Sequence, residues 1–274
     1  MKKNCIGITG STGLIGSHFI KKFPRYKFDK FKGDILVKSQ VDKWIKNGKF
    51  SKIIHLAAKV PTSYVNSNFI KSKNTNYQGT KNLLKSVLKF KKKEIKWFFF
   101  ASTSHVYKMS KNKLHEKSKL KPYSKYGYTK ILAENYLKKA LPFKICIGRI
   151  FSVTHPKQHL SYAIPSVFNR IKKSKDKILF LKNLNHDRDF CHVKDVCYAI
   201  NILYLKNLEG IYNIGTSKKV NLKFIARFFS KKYNKKIIFI DNIKKTTILS
   251  KINKIKKIGF KPKYNLKQIL REFK

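Results

Sequence analysis

The amino-acid sequence predicts an α/β fold, a doubly wound parallel sheet with a smaller C-terminal α/β lobe. Short apolar runs alternate with helical patterns over roughly the first 150 residues. A glycine-rich turn directly follows the first apolar run. After that the alternation becomes looser, without a Pro/Gly/Ser-rich linker. We therefore expect a main domain over residues 1–150 and a closely packed lobe over 151–274, with some segments of the lobe returning to the main sheet.

Each element of the main domain follows from a local pattern. The predicted strands are apolar runs at Cys5–Thr9, Tyr26–Phe28, Lys52–Ala57, Ile95–Ala101 and Phe143–Gly148. The predicted helices carry apolar residues at helical spacing: Gly13–Phe23, which ends before Pro24, then Gln40–Lys46, Asn66–Phe90 and Tyr126–Lys139. In the lobe, the same patterns predict helices at Ala163–Lys172, His192–Leu205 and Leu222–Lys232, and strands at Lys177–Leu181, Ile211–Ile214 and Lys236–Ile240.

Length and composition indicate a globular protein of the reducing cytoplasm. The 274 residues, 42% of them hydrophobic, can bury a full core. No apolar run approaches the ~20 residues that span a bilayer, and we expect no membrane partner. The four cysteines (Cys5, Cys146, Cys191 and Cys197) lie in or near apolar segments without C-x-x-C spacing. They read as buried free thiols, and we expect no metal site.

The charge of the chain is extreme, with 64 basic and 13 acidic residues and a net charge of +51. Such a balance is typical of proteins that bind nucleic acid or anionic surfaces. However, only six of the basic residues are arginine, the side chain best suited to phosphates and base edges. The lysines are also spread over the whole chain. Compositional drift explains this better than selected polyanion binding, although a positive field would still attract an anionic substrate.

The first glycine-rich turn predicts a phosphate site. Residues 9–16 read Thr-Gly-Ser-Thr-Gly-Leu-Ile-Gly, between the first strand and the first helix. Exposed backbone N–H groups and the positive end of a helix dipole favour a pyrophosphate at such a helix start. An ordinary β–α turn has the same pattern, so the residues downstream must decide.

A second pattern predicts acid–base chemistry. Tyr126 and Lys130 lie four residues apart on a predicted helix, so both side chains share one face. A lysine ammonium beside a phenol favours the phenolate and lowers the pKa of the tyrosine from about 10. Thr103 follows a central strand, where parallel sheets bind their ligands, and its hydroxyl can hydrogen-bond a substrate alcohol or ketone.

In the order of its motifs, the chain resembles the NAD-dependent nucleotide-sugar epimerase/dehydratase branch of the extended short-chain dehydrogenase/reductases, a family with a Rossmann-type sheet. The match covers nearly the whole chain. The motifs that carry it are Thr9–Gly16, Gly33–Ile35, His55–Ala58, Asn76–Thr80, Ala101–Tyr107, Tyr126–Lys130, Arg188–Val196, Ile211–Gly215 and Lys254–Pro262.

The resemblance implies a set of site residues. The catalytic hydroxyl would be Thr103, with Tyr126 as proton acceptor and Lys130 as the residue that holds the nicotinamide ribose. The residues expected to contact NAD, or NADP instead, are Gly10, Thr12, Gly13, Leu14, Ile15, Gly16, Asp29, Asp34, Ile35, Leu56, Ala57, Ala58, Asn76, Tyr126 and Lys130. The residues expected to contact the nucleotide sugar are Thr103, Ser104, Ser152 and Arg188.

The chain departs from the family pattern at three places. Dehydratases of the family usually carry Asp-Glu where this chain has Ser104 and His105, and a serine cannot be the acid that releases water. Ser152 stands where many epimerases have asparagine. Asp29 is the candidate for the ribose hydroxyls of NAD, but Lys27, Lys30 and Lys32 around it could accept the 2′-phosphate of NADP.

We therefore expect a nucleotide-sugar epimerase, acting at C4 of a UDP- or related sugar. An NADPH-dependent reductase of nucleotide-4-keto-sugars is the first alternative. A catalytically idle RNA-binding member of the family is the second, although the intact Thr–Tyr–Lys set disfavours it and nucleic acid is not the expected partner. The resemblance also implies a homodimer, paired through the helices that include Asn66–Phe90 and Tyr126.

Overall fold

Six parallel strands form the main sheet of the computed structural model, which describes residues 5–139 and 141–274. These strands are β1 (Cys5–Thr9), β2 (Lys27–Lys30), β3 (Lys52–His55), β4 (Trp97–Thr103), β5 (Lys144–Ile150) and β10 (Gly210–Ile214). Their order across the sheet is β10-β5-β4-β3-β1-β2. The strand order reverses direction between β1 and β3, as in doubly wound sheets, so the predicted fold class is confirmed.

Helices cover both faces of this sheet. They are α1 (Leu14–Lys22), α2 (Lys38–Asn47), α5 (Gly79–Phe90), α6 (Lys125–Leu137) and α8 (Val193–Leu205). One core joins α1 and α8 to Trp97 and Phe99, and a second core joins α2, α5 and α6 to Phe98 and Phe100. Neighbouring residues of β4 therefore point into different cores. Burial on both faces explains why this strand is a continuous apolar run.

The helix predicted over Asn66–Phe90 is continuous only from Phe69, because Asn68 breaks it near its start and a π-helical turn interrupts its regular α-helical geometry. α3 (Thr62–Ser67) ends at Asn68, whose φ of −127° and ψ of 50° are not helical. α4 (Phe69–Lys73) then leads through a π-helical turn, Asn74–Gln78, into α5. Leu83, Leu84 and Val87 are buried in α5, whereas Val65 is the one buried apolar residue between 62 and 78, so that stretch lacks the apolar stripe that would hold one straight helix.

The C-terminal lobe packs α7 (Ala163–Lys173) and α9 (Leu222–Lys232) against a two-stranded parallel sheet. That sheet consists of β7 (Ile178–Lys182) and β12 (Lys236–Ile240), and α11 (Leu266–Arg271) completes its core. The remaining short elements are β6 (Ser152–Thr154), β8 (Asp187–Arg188), β9 (Phe190–His192), β11 (Val220–Asn221), β13 (Thr247–Ile248) and α10 (Asn253–Lys257). Because β10 belongs to the main sheet and α8 packs against it, segments after residue 150 contribute to both parts. No helix in the described part of the chain is long and apolar enough to cross a bilayer.

Candidate functional site

A cavity of about 450 Å³ opens at the carboxyl ends of the main-sheet strands. Gly10 follows β1, Leu56 follows β3, Thr103 ends β4 and Ser152 follows β5, and all four line the cavity. Arg188 reaches it from the lobe. The site therefore lies between the main sheet and the lobe, where doubly wound folds bind ligands.

The glycine loop forms one wall of this cavity and admits no side chain at two of its positions. Gly10 has φ +70°, and a Cβ there would lie 2.6 Å from the backbone nitrogen of Ala57. A Cβ on Gly16 would lie 2.2 Å from the carbonyl oxygen of Gly10. Gly13 is the N-cap of α1 and has no side-chain cap, so the first turn of α1 presents backbone amides at the cavity wall. This cradle fits the pyrophosphate of a dinucleotide.

The expected cofactor residues divide into two groups. Gly10, Gly13, Leu14, Ile15, Gly16, Leu56, Ala58, Tyr126 and Lys130 line the cavity, whereas Thr12, Asp29, Asp34, Ile35, Ala57 and Asn76 lie outside its lining. In β2, the Asp29 carboxylate accepts a hydrogen bond from Trp44 Nε1 at 2.6 Å. The Asp34 carboxylate accepts a hydrogen bond from Leu36 N, within its own turn. The side chain of Ile35 is buried against Gly79, and a Cβ on Gly79 would lie 2.5 Å from Ile35 Cγ2.

A buried hydrogen-bond chain fixes the strand ends beside the glycine loop. The hydroxyl of Thr80 donates its hydrogen to Asn76 O at 2.8 Å. The same oxygen lies 3.0 Å from His55 Nε2, so it must accept a hydrogen bond from that nitrogen. His55 Nδ1 then accepts from Thr9 Oγ1 at 2.6 Å, and that oxygen accepts from Ala57 N at 3.2 Å. Burial, aided by the charge of Lys130, lowers the pKa of His55 to about 3, which matches the neutral ring that this pattern requires.

Asn76 continues the chain to the helix that carries Tyr126. Its side chain accepts from Lys59 N at 2.7 Å and donates to Lys59 O at 3.2 Å. It also donates to Thr129 Oγ1 at 2.9 Å, and that hydroxyl donates to Tyr126 O at 2.8 Å. Asn76, which is 1% exposed, therefore holds the loop after β3 and the start of α6 in one arrangement.

The three candidate catalytic residues lie together in the cavity wall. Thr103 ends β4, while Tyr126 and Lys130 lie one turn apart on α6. Thr103 Oγ1 accepts a hydrogen bond from His105 N at 3.3 Å. Lys130 is 2% exposed, and its ammonium lies 4.2 Å from the centre of the Phe100 ring. The sequence spacing thus brings a hydroxyl, a phenol and an amine into one pocket.

The expected lowering of the Tyr126 pKa is wrong for the protein chain by itself. Burial is the main cause that raises the pKa of this phenol, and neighbouring Tyr162 and Tyr123 raise it further. Burial also lowers the pKa of Lys130 to about 7, although Glu134 opposes the change. A lysine that is only half charged at neutral pH stabilises a phenolate weakly, so the desolvation of the phenol dominates.

Beneath the site lies a buried ion pair that the motifs did not reveal. Arg149 Nη2 donates to Glu134 Oε2 at 2.6 Å, and its Nε donates to both carboxylate oxygens at 3.0 and 3.2 Å. Ser102, next to Thr103, donates its hydroxyl to the same carboxylate. Glu134 lies one helical turn after Lys130, and this spacing was the available signal. The pair fixes β4, β5 and α6 to one another.

His105 is a cavity residue that the sequence analysis treated only as a departure from the dehydratase pattern. Its ring stacks on Tyr123 at 4.4 Å and stands edge-on to Tyr126 at 5.7 Å. Its Nδ1 lies 2.9 Å from Ser124 Oγ, which also caps α6 by accepting from Gly127 N. Burial and the charge of Arg188 lower the pKa of His105 to about 4, so the ring is neutral at pH 7.

The expected substrate residues Ser104, Ser152 and Arg188 also line the cavity. Thr246 holds the guanidinium of Arg188 in place by two hydrogen bonds: Nη1 donates to Thr246 O at 3.0 Å, and Nη2 donates to Thr246 Oγ1 at 2.9 Å. Among residues 5–139 and 141–274, no Asp or Glu side chain lines the cavity. The charged groups at its surface are therefore the cations Arg188 and Lys130, an arrangement suited to an anionic ligand.

Comparisons with known proteins identify the family and the fold of the chain. Residues 6–215 match the sequence model of the NAD dependent epimerase/dehydratase family. The structure is similar to that of Thermus thermophilus UDP-glucose 4-epimerase in complex with NAD, with a TM-score of 0.84 and 20% identity over 98% of this chain and 97% of that one.

Two further solved structures show the same fold. RMD from Pseudomonas aeruginosa, complexed with NADPH, matches with a TM-score of 0.87 and 18% identity over 98% of this chain and 97% of that one. UDP-glucose 4-epimerase from Thermotoga maritima, with UDP-glucose, matches with a TM-score of 0.84 and 21% identity over the same shares.

Proposed function

The chain belongs to the NAD-dependent epimerase/dehydratase family, whose members act on nucleotide sugars, and from that premise we propose that it is a nucleotide-sugar epimerase. The substrate class is a UDP- or related sugar, and the reaction inverts C4. The observation that carries the proposal is the joint presence of Thr103, Tyr126, Lys130 and the glycine cradle in one cavity.

The residues of the chain have separate tasks in this reaction. Tyr126 Oη accepts the proton of the sugar C4 hydroxyl and later returns it, while Thr103 Oγ1 holds that hydroxyl by a hydrogen bond. NAD, when bound, supplies a reversible hydride acceptor and a positive charge near the phenol. A cation close to Tyr126 favours its phenolate, which offsets the effect of burial on its pKa. Lys130 would hold the nicotinamide ribose and adds its own partial charge near the phenol.

The cavity supports epimerisation over 4,6-dehydration. Loss of water from a sugar needs a positioned acid, which dehydratases of the family provide with a carboxyl group beside the catalytic hydroxyl. Ser104 and His105 occupy these positions, and no carboxylate of the described residues lines the cavity. His105 is neutral at pH 7 and can hydrogen-bond the sugar without protonating a leaving hydroxyl.

One observation favours a second candidate, an NADPH-dependent reductase of nucleotide-4-keto-sugars. Burial keeps Tyr126 protonated, and a phenol is ready to donate its proton to a ketone oxygen. The exposed Lys27, Lys30 and Lys32 near Asp29 suit the 2′-phosphate of NADP, while the Asp29 carboxylate that would select NAD is already hydrogen-bonded to Trp44. The choice between NAD and NADP separates the two candidates.

The deciding experiment incubates the purified protein with NAD and a panel of nucleotide sugars, followed by proton NMR. Interconversion of a C4 epimer pair, abolished in Tyr126→Phe, is the expected result. Reduction of a 4-keto sugar by NADPH, without any interconversion, would replace the epimerase by the reductase. Tyr126→Phe is a suitable control because the deleted hydroxyl has no hydrogen bond to another described residue.

We further propose a homodimer that pairs through α4 and α6. Ile70, in α4, is 72% exposed, and Tyr128, in α6, is 46% exposed. The Phe69 and Tyr128 rings lie 6.2 Å apart, so the apolar groups of the two helices form one surface. Lys125 lies over the Phe69 ring and adds positive charge at this surface, which weakens association at low salt.

A further inference from the structure

The small parallel sheet of the lobe has one bare face. Leu179, Leu181, Ile237 and Phe239 pack against α7 and α9 in the core of the lobe. The alternate residues point the other way: Ile178 is 46% exposed, Phe180 is 57% exposed and Ile238 is 39% exposed. Parallel strands are normally covered on both faces, and their sequences are apolar throughout for that reason. β7 and β12 have this apolar pattern but lack the second cover among the described residues.

The strand register makes the bare face one continuous patch. Ile178 pairs with Lys236, Phe180 with Ile238, and Lys182 with Ile240. Phe180 and Ile238 therefore form the apolar centre, and a lysine lies at each of two opposite corners. We call this group of six residues the outer sheet face.

The surroundings of the outer sheet face are strongly positive. Lys175, Lys177 and Lys244 are exposed in the adjoining turns. Among the described residues, neither these lysines nor the two on the face form an ion pair. The flanking carboxylates are Asp176, which is exposed, and Asp241, which is paired with Lys223. An apolar centre with a lysine rim is complementary to a surface that is anionic outside and apolar beneath.

We propose that the outer sheet face binds the surface of an anionic lipid bilayer. Phe180 and Ile238, with Ile178 and Ile240 beside them, enter the boundary between headgroups and acyl chains, and Lys182 and Lys236 contact the anionic headgroups. This differs from the sequence expectation of no membrane partner, which considered only segments that span a bilayer. The inference does not depend on the proposed reaction.

Other occupants fit this face less well. A second copy would bring the lysines of two faces, on chains of net charge +51, against each other. RNA is bound through stacked aromatic rings and arginines, whereas this face offers one aromatic ring and three isoleucines. The cavity lies on the side of the small sheet that α7 covers, since Ile164 and Pro165 of α7 line it, so a bilayer on the outer sheet face leaves the cavity open.

Vesicle co-sedimentation of the full chain tests the proposal. We expect binding to vesicles of phosphatidylcholine with about 40% phosphatidylglycerol, and no binding to phosphatidylcholine alone. Each lysine near an anionic surface raises the affinity about fivefold, so K182Q/K236Q is expected to bind about 25-fold more weakly. F180Q/I238Q is expected to lose at least as much affinity for these vesicles, because its side chains no longer make apolar contact with the acyl chains.

Matched controls separate this face from the general charge of the protein. K43Q/K46Q removes two exposed lysines of α2, and V37Q/L205Q removes two apolar groups that are 39% and 55% exposed. Both controls are expected to bind within about twofold of the wild type, with far-UV circular dichroism unchanged in all four variants. Equal weakening of both lysine pairs, or full binding by F180Q/I238Q, would overturn the proposal.

Insertion depth gives an independent readout. Phe180→Trp is expected to shift its emission to shorter wavelength on anionic vesicles and to be quenched by brominated acyl chains, whereas Leu205→Trp is not. An unquenched Phe180→Trp would overturn the proposal. Loss of RNA binding by the face variants, with vesicle binding intact, would identify RNA as the occupant instead.

Discussion

The substitution Gly16→Ala tests the glycine cradle directly. The new Cβ would lie 2.2 Å from Gly10 O and 2.9 Å from Ser11 Cα. Both are backbone atoms, so no side chain can rotate away. Ordinary Cβ contacts begin at 3.4 Å, which means that α1 and the loop must separate by about 1.2 Å (3.4 minus 2.2).

The size of the effect follows from this separation. Overpacking of this kind costs about 1–3 kcal/mol, and the preference of helices for alanine over glycine returns about 0.5–1 kcal/mol. The central values of these two effects leave a net loss of about 1 kcal/mol, which lowers the Tm of a chain this long by about 2–4 °C. The displaced amides at the start of α1 are expected to weaken NAD binding by about 10- to 100-fold.

Differential scanning calorimetry and an NAD titration measure the two effects separately. Gly13→Ala is the matched control, because its Cβ would lie 3.4 Å from the same Gly10 oxygen, at φ −69°. We expect its Tm to stay within about 2 °C of the wild type. A Gly16→Ala protein with the wild-type Tm and the wild-type NAD affinity would refute the steric argument for this loop.

Three further predictions concern Lys130, Glu134 and Ile70. Burial lowers the pKa of Lys130 from 10.5 to about 7, so the buried ammonium destabilises the folded protein most below pH 7 and progressively less towards pH 10. Lys130→Met is therefore expected to be inactive and to have a free energy of unfolding about 3–5 kcal/mol higher than the wild type at pH 6, with little difference near pH 10. A variant that is less stable than the wild type at pH 6 would contradict this. Glu134→Gln leaves the buried Arg149 without its carboxylate, and its free energy of unfolding in urea is expected to fall by about 3–5 kcal/mol. Asp42→Asn, in the more exposed pair with Lys38, is expected to lose only about 1 kcal/mol. Equal losses in the two variants would contradict the structural role given to the buried pair. Ile70→Glu is expected to convert the dimer into a monomer in light scattering, and a wild-type monomer would remove the dimer proposal.

The sequence predicts the central strands of the sheet well because these strands are buried on both faces. A strand such as β4 is apolar at successive positions, so it is visible without knowledge of its neighbours. The region before α5 is predicted poorly because polar contacts shape it. Asn76, in the π-helical turn, hydrogen-bonds the loop after β3, and such a distant partner leaves no periodic signal in the sequence.

The candidate site divides in the same way. Motif spacing brings Thr103, Tyr126 and Lys130 together, because a strand end and one helix face are local features. Their electrostatics are not local. The pKa of Tyr126 depends on how much of the ring is buried and on Tyr162, which lies in another segment. His105 and Glu134 act through contacts of this kind, and the sequence alone did not identify them.

Deuterium tracing tests the proposed epimerase most directly. The protein, loaded with NAD, is incubated in ordinary water with UDP-glucose that carries deuterium at C4, and the products are followed by NMR. Hydride transfer to the cofactor and back predicts that the deuterium stays at C4 in both the starting sugar and its C4 epimer, with no turnover by Tyr126→Phe. Loss of the deuterium to water, or conversion at an undiminished rate in Tyr126→Phe, would contradict the account.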